Sequence, residues 1–121
     1  TLLYAGAKIP LYLLRDGKIE VFKGDRRAIG NDTKDPDFTF NTITIPLKSG
    51  DKIYTFSDGI PDQFGGKNDK KFLTKQLKNL LLENEHLPMS EQKEVVEQTM
   101  KKWMANTDQI DDMILLGIQI P

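Results

Sequence analysis

Hydrophobic and polar positions follow two different periods along this chain, and the change falls about halfway. Leu11-Tyr12-Leu13-Leu14-Arg15 and Lys18-Ile19-Glu20-Val21-Phe22 are β-prone runs joined by Asp16-Gly17. Asp-Gly suits a type I′ turn, because both central residues need positive φ and the turn's twist matches that of the strands. The segment from Gly24 to Asp37 reads as a loop, rich in Asp, Arg and Gly and closed by Asp35-Pro36-Asp37. From Phe38 to Leu47 the pattern predicts a strand, with Ile43, Ile45 and Leu47 on one face and Thr42, Thr44 and Pro46 on the other. Ser49-Gly50-Asp51 then turns the chain into a short strand over Lys52–Ser57, aromatic and β-branched in character.

After Asp58-Gly59 the spacing becomes helical. Leu73, Leu77, Leu80 and Leu81 fall at i, i+4, i+7 and i+8, one face of a helix. Pro88 separates this helix from a second one, predicted to start after an N-cap at Ser90, with Glu91 near the positive end of its dipole. The apolar stripe of the second helix is Val96, Met100, Trp103 and Met104. The continuous apolar run from Met113 to Ile120 predicts a strand buried on both faces. Strands, two helices and a final strand make an α+β chain. No repeat, low-complexity tract or linker divides it, so residues 1–121 are read as one unit.

Composition narrows the chemistry. With 17 Lys and Arg against 18 Asp and Glu, the net charge is −1, unlike that of a general nucleic-acid binder. The absence of cysteine excludes disulfides, thiol catalysis and thiolate zinc sites, and one histidine excludes a His-rich metal cluster. Any catalysis must come from carboxylates, hydroxyls, lysines or an oxygen-ligated metal. No apolar run approaches the roughly 18 residues that span a bilayer, so no membrane contact is expected from this segment. The chain opens directly on the apolar, strand-like Thr1-Leu2-Leu3-Tyr4-Ala5, as expected of a piece of something longer.

Two aspartates stand where predicted strands meet loops: Asp58 in Phe56-Ser57-Asp58-Gly59, and Asp111 in Gln109-Ile110-Asp111-Asp112-Met113. A carboxylate at the mouth of a rigid strand is held well enough to ligate a metal. Asp-Gly is equally a common turn and Asp a common loop residue, so the residues alone leave both readings open. The remaining candidates carry less. Asp32, Asp35 and Asp37 lack the spacing of a calcium loop and are interrupted by Pro36. Gly65-Gly66-Lys67 lacks the spacing and the following hydroxyl of a phosphate loop. Lys71, Lys75 and Lys78 form a stripe read as the wet face of the first helix, with docking of an acidic or phosphorylated partner as the lesser reading. The Met100, Trp103 and Met104 cluster reads as core and His86 as solvated.

Taken as an ordered series, several segments carry more. They are Tyr4-Ala5-Gly6-Ala7-Lys8-Ile9-Pro10-Leu11-Tyr12-Leu13, the Asp16-Gly17 turn, Ala28-Ile29-Gly30 and Ile45-Pro46-Leu47-Lys48-Ser49-Gly50-Asp51. Tyr54-Thr55-Phe56-Ser57-Asp58-Gly59-Ile60-Pro61-Asp62-Gln63-Phe64-Gly65 and Asp111-Asp112-Met113-Ile114-Leu115-Leu116 continue it. The series resembles the C-terminal half of the metal-dependent serine/threonine phosphatases, in the bacterial stage II sporulation E-like branch of the type 2C group.

That resemblance implies an antiparallel β-sandwich flanked by helices, of which only the C-terminal half is present. It implies dephosphorylation of phosphoserine and phosphothreonine proteins by metal-activated water, with two manganese or magnesium ions in the intact domain. It assigns metal ligation to Asp58 and Asp111, with Asp62, Gly59 and Asp112 adjoining them. Such ions favour carboxylate and water oxygens and can acidify a shared water, which needs no cysteine. Lys8 stands where the family commonly has histidine. The family's other metal-ligating acidic residues lie in the N-terminal half, so the isolated chain is expected to bind metal weakly and to be inactive. The branch implies a cytoplasmic location and a phosphoprotein substrate such as an anti-sigma-factor antagonist. With half of a sandwich missing, self-association is expected. The alternative is a catalytically silent regulatory or partner-binding module on the same scaffold.

Overall fold

The computed structural model describes residues 1–30 and 35–121. Its centre is a four-stranded antiparallel sheet. The hairpin forms as its turn demands: β2 (Leu11–Arg15) and β3 (Lys18–Phe22) flank Asp16 at φ 50° and Gly17 at φ 72°. β5 (Lys52–Phe56) pairs with β2, Tyr12 facing Tyr54. β8 (Leu115–Gln119) pairs with β5, Leu115 facing Phe56, and the strand order is β3-β2-β5-β8.

Alternation along these strands divides the core between the two faces of the sheet. Tyr12, Leu14, Tyr54 and Phe56 form one layer with Leu77, Leu80 and Leu81 of α1 (Leu73–Glu83) and Met100 of α2 (Met89–Met104). Leu11, Leu13 and Ile53 face the other way, against a two-stranded ribbon of β1 (Leu2–Tyr4) and β4 (Ile43–Ile45). The result is the antiparallel, helix-flanked α+β arrangement expected. Tyr54 spans the helical layer and donates its hydroxyl to Gln92 Oε1 of α2 at 2.6 Å; burial pushes its pKa up to about 12. A bidentate clamp fixes the turn before β5: Arg15 Nε and Nη2 donate to the carboxylate of buried Asp51 at 2.8 and 2.5 Å. Asp51 also accepts the Lys48 N–H, and the Arg15 guanidinium holds its carboxyl below the usual range.

Five expectations are corrected. The strand predicted over Phe38–Leu47 is only β4. The backbone N–H and side-chain amide of Asn41 are taken by the Asp25 carboxylate, each at 2.8 Å, so the chain upstream of Ile43 is tied to a side chain instead of a ladder. The final strand is not buried on both faces, because β8 lies at the sheet edge and leaves Leu116 and Ile118 exposed. Leu73 does not join the buried stripe of α1. It is 55% exposed at φ 71°, where the chain turns out of a small hairpin and the Leu73 N–H bonds the Pro61 carbonyl. Ser90 is not an N-cap, since α2 begins at Met89 behind Pro88 and has no side-chain cap.

The small hairpin pairs β6 (Phe64–Gly65) with β7 (Lys70–Lys71), which removes Lys71 from the helical stripe predicted for it. His86 is exposed between the helices, as expected. Among the described residues, no helix is long and apolar enough to cross a membrane.

Candidate functional site

The antiparallel order brings the end of β5 and the start of β8 to the same end of the sheet. There, Ser57 clasps the chain that enters β8. Its backbone N–H donates to the Ile114 carbonyl at 2.9 Å. Its hydroxyl donates to the Asp112 carbonyl at 2.8 Å and accepts the Ile114 N–H at 2.9 Å. Gly59 completes the contact: a Cβ there would overlap the Asp112 carbonyl and sit 3.2 Å from the Asp111 oxygen. Only glycine lets the two loops meet so closely.

Asp58 and Asp111 therefore stand on loops in direct contact, and both are exposed. Asp111 shapes its own turn: its Oδ1 accepts the Asp112 N–H at 2.8 Å and its carbonyl accepts the Gln109 amide. Asp112 is exposed beside it. On the other loop, the Asp62 N–H donates to the Asp58 carbonyl at 3.0 Å, while the Asp62 carboxylate faces Lys71 Nζ at 3.4 Å. The donor set is thus exposed carboxylate oxygen with access for water, which suits a hard divalent cation such as magnesium or manganese. Among the described residues, no group of three or more His, Cys, Asp and Glu is arranged to hold a metal.

Behind this end of the sheet lies Gln63, which sequence periodicity did not single out. It is fully buried, and its Nε2 donates to the carbonyls of Phe64 and Asp108 at 3.1 and 2.9 Å. Its backbone carbonyl accepts the Trp103 indole N–H and the Phe72 N–H. Gln63 thus ties the segment after Asp58 to the one before Asp111. Its only sequence signal is position, a polar residue just after the Asp-Gly turn.

The rejected phosphate loop has a packing explanation. A Cβ at Gly65 would strike the Trp103 carbonyl, and one at Gly66 would lie 2.7 Å from the Trp103 ring. Asp35 pairs with Arg27 and Asp37 is exposed, while Asp32 lies outside the described residues.

Comparison with known proteins agrees across the chain. The profile of the stage II sporulation protein E (SpoIIE) family matches residues 1–121. The SiaA-PP2C domain of Pseudomonas aeruginosa superposes with a TM-score of 0.86 at 32% identity, over 98% of this chain and 46% of that one. The phosphatase domain of the cell fate determinant SpoIIE from Bacillus subtilis, in a crystal form without domain swapping, gives 0.57 at 20% identity, over 97% and 48%. The same domain presoaked with manganese gives 0.54 at 20% identity, over 98% and 49%. The chain therefore spans just under half the length of these solved relatives. No curated protein sequence matches.

Proposed function

The chain belongs to the stage II sporulation E family of type 2C phosphatase domains, and on that premise we propose that it is one part of a domain that hydrolyses phosphoserine and phosphothreonine in proteins. The carrying observation is the contact between the Asp58 and Asp111 loops, made by Gly59 and by the Ser57 bonds to Asp112 and Ile114. This contact supports the reading because it joins the two loops, far apart in sequence, that carry Asp58 and Asp111, and each loop adjoins a strand of the central sheet.

Asp58 and Asp111 are the residues that would hold magnesium or manganese. When bound, such ions supply an acidified water and neutralise charge on the phosphoryl group. The chain's own contribution is positional. The Ser57 clasp and Gly59 set the spacing of the two carboxylate loops, and Gln63 buttresses them from behind. Asp62, turned toward Lys71, steadies the Asp58 turn through its backbone. Because two carboxylates leave most coordination positions to water, this chain alone binds the ions weakly and is inactive. Substrates in the complete domain are phosphoproteins, of which an anti-sigma-factor antagonist is the type favoured by the family branch.

The test pairs this chain with the complete domain. Manganese-dependent hydrolysis of a phosphoserine peptide by the complete domain should fall at least 100-fold with Asp58→Asn and with Asp111→Asn. The isolated chain should show only weak manganese binding by electron paramagnetic resonance, weakened further by either change. Undiminished activity of the Asp58→Asn domain would overturn the assignment. Manganese-dependent turnover by the isolated chain, abolished by Asp58→Asn, would overturn the partial-domain reading.

A further inference from the structure

A groove of about 490 Å³ opens on the helical side of the sheet, between the start of β2, the end of β3 and the first turn of α1. Its rim carries four cationic side chains from three separate segments: Lys8, Lys23, Arg26 and Lys78. Tyr12 and Val21 form its floor, and among the described residues no carboxylate lines it. Among the described residues none of the four cations forms an ion pair. The nearest acidic residue in sequence, Asp25, spends both carboxylate oxygens on Asn41. In a chain of net charge −1, such a one-signed concavity is a local arrangement and not a reflection of bulk charge.

The arrangement is also built. Lys8 adopts φ 67°, with its N–H bonded to the Asp25 carbonyl at 2.7 Å, and the Asp25 N–H returns a bond to the Gly6 carbonyl. This bridge holds the Lys8 and Arg26 segments side by side. Lys78 reaches over from α1, its Nζ 5.4 Å from the centre of the Tyr12 ring.

The position of the groove gives it a use. β2 starts and β3 ends at the same end of the sheet where β5 ends and β8 starts, so the groove and the Asp58–Asp111 loops share one rim. With strands about 4.8 Å apart, they are separated by one to two strand widths, on the order of 5–10 Å. At about 3.3 Å per extended residue, that is two or three residues of a peptide.

We propose that this groove is a docking surface for an acidic polypeptide segment, the carboxylate-bearing flank of the phosphoprotein whose phosphate is presented at Asp58 and Asp111. The phosphate part rests on the function proposed above, whereas the groove's preference for an acidic flank does not. Tyr12 is 2% exposed and offers no open ring for base stacking, which disfavours single-stranded nucleic acid. Four cations around a small concavity also fall short of the broad basic face that a duplex requires.

Fluorescence anisotropy on the 121-residue chain tests the proposal with two labelled phosphoserine peptides, identical except for Asp or Asn at the second to fourth residues after the phosphoserine. The Asp peptide should bind at least ten-fold more tightly at low salt, and the preference should shrink as salt rises. Lys8→Glu with Arg26→Glu, or Lys23→Glu with Lys78→Glu, should abolish the preference, with folding checked by circular dichroism. Lys101→Glu with Lys102→Glu, the same charge change on α2, should preserve it. Equal binding of both peptides, equal loss in the α2 variant, or tighter binding of a DNA duplex than of the Asp peptide each overturns the proposal.

The phosphatase reading fails separately. In the complete domain, the groove variants should raise KM for the Asp peptide with kcat unchanged and leave p-nitrophenyl phosphate, which has no flank, unaffected. A domain inactive on every phosphate ester while the binding preference persists would refute the phosphatase reading alone.

Discussion

Gly59 and Asp112 meet backbone to backbone: a Cβ on Gly59 would overlap the Asp112 carbonyl oxygen and lie 2.8 Å from its carbon. This contact explains the Asp58-Gly59 dipeptide better than turn geometry does, since Gly59 is not among the glycines at positive φ. The glycine is there for proximity between the two aspartate loops.

Gly59→Ala should therefore push those loops apart. The expected cost is about 2 kcal/mol, typical of overpacking against atoms that cannot move aside. Urea denaturation measures it, and amide shifts in two-dimensional NMR should concentrate at Asp111, Asp112 and Ile114. A change near zero with unmoved resonances would contradict the contact.

Tyr54 and Gln92 form a buried pair that reports on the helical layer. Tyr54→Phe leaves Gln92 Oε1 without its donor and should cost about 2 kcal/mol near neutral pH. Because the Tyr54 pKa is raised to about 12 by burial, the folded state holds the phenol proton more tightly than the unfolded state does. Stability from this group is complete below about pH 10 and is lost as pH rises toward 12. Urea midpoints between pH 9 and 11.5 should fall more steeply in the wild type than in Tyr54→Phe.

Asp51 has the opposite sign. Its carboxyl is held low, first by the Arg15 hydrogen bonds. Its contribution is present above the unfolded value of about 3.9 and disappears as pH falls through the depressed folded value. An acid titration of the urea midpoint from pH 5 to pH 2 should show a drop that Asp51→Asn flattens, with a lower midpoint for the variant throughout the neutral range.

Gly66 offers an optical readout. At φ 71° with the Trp103 ring 2.7 Å from any added Cβ, Gly66→Ala combines backbone strain with a steric clash and should cost about 3 kcal/mol. The only tryptophan in the chain makes the displacement visible as a shift in emission maximum.

The β8 edge predicts association. Residues from Met113 to Pro121 contain no charge, and Leu116 and Ile118 are 53% and 47% exposed. An open, uncharged edge strand invites pairing with a second copy. Sedimentation velocity on the isolated chain should show concentration-dependent association, relieved by Ile118→Lys. A monomer over a hundred-fold concentration range would refute this.

The hairpin and the helical stripes were legible because local chemistry settles them: Asp16-Gly17 specifies its turn, and Leu77, Leu80 and Leu81 have one face to bury. Met113–Ile120 misled because an apolar run states how much surface seeks cover, and not whether a neighbouring strand supplies it. Leu73 misled because its periodicity matches the helix while the hairpin preceding it forces a left-handed turn at that residue. Asp58 and Asp111 were legible as strand-end carboxylates, but their adjacency depends on the β5–β8 register. Gln63 was hidden, since its importance lies in bonds to Asp108 and Trp103, far along the chain.

The Ser57 clasp joins residues 55 and 57 positions apart. Closing so long a loop is entropically late work for a folding chain, and it waits on the pairing of an edge strand. The two aspartate loops thus meet only once β8 has paired with β5, and they part whenever the start of β8 frays. Whatever pairs with that edge would hold the carboxylates in place without touching either of them.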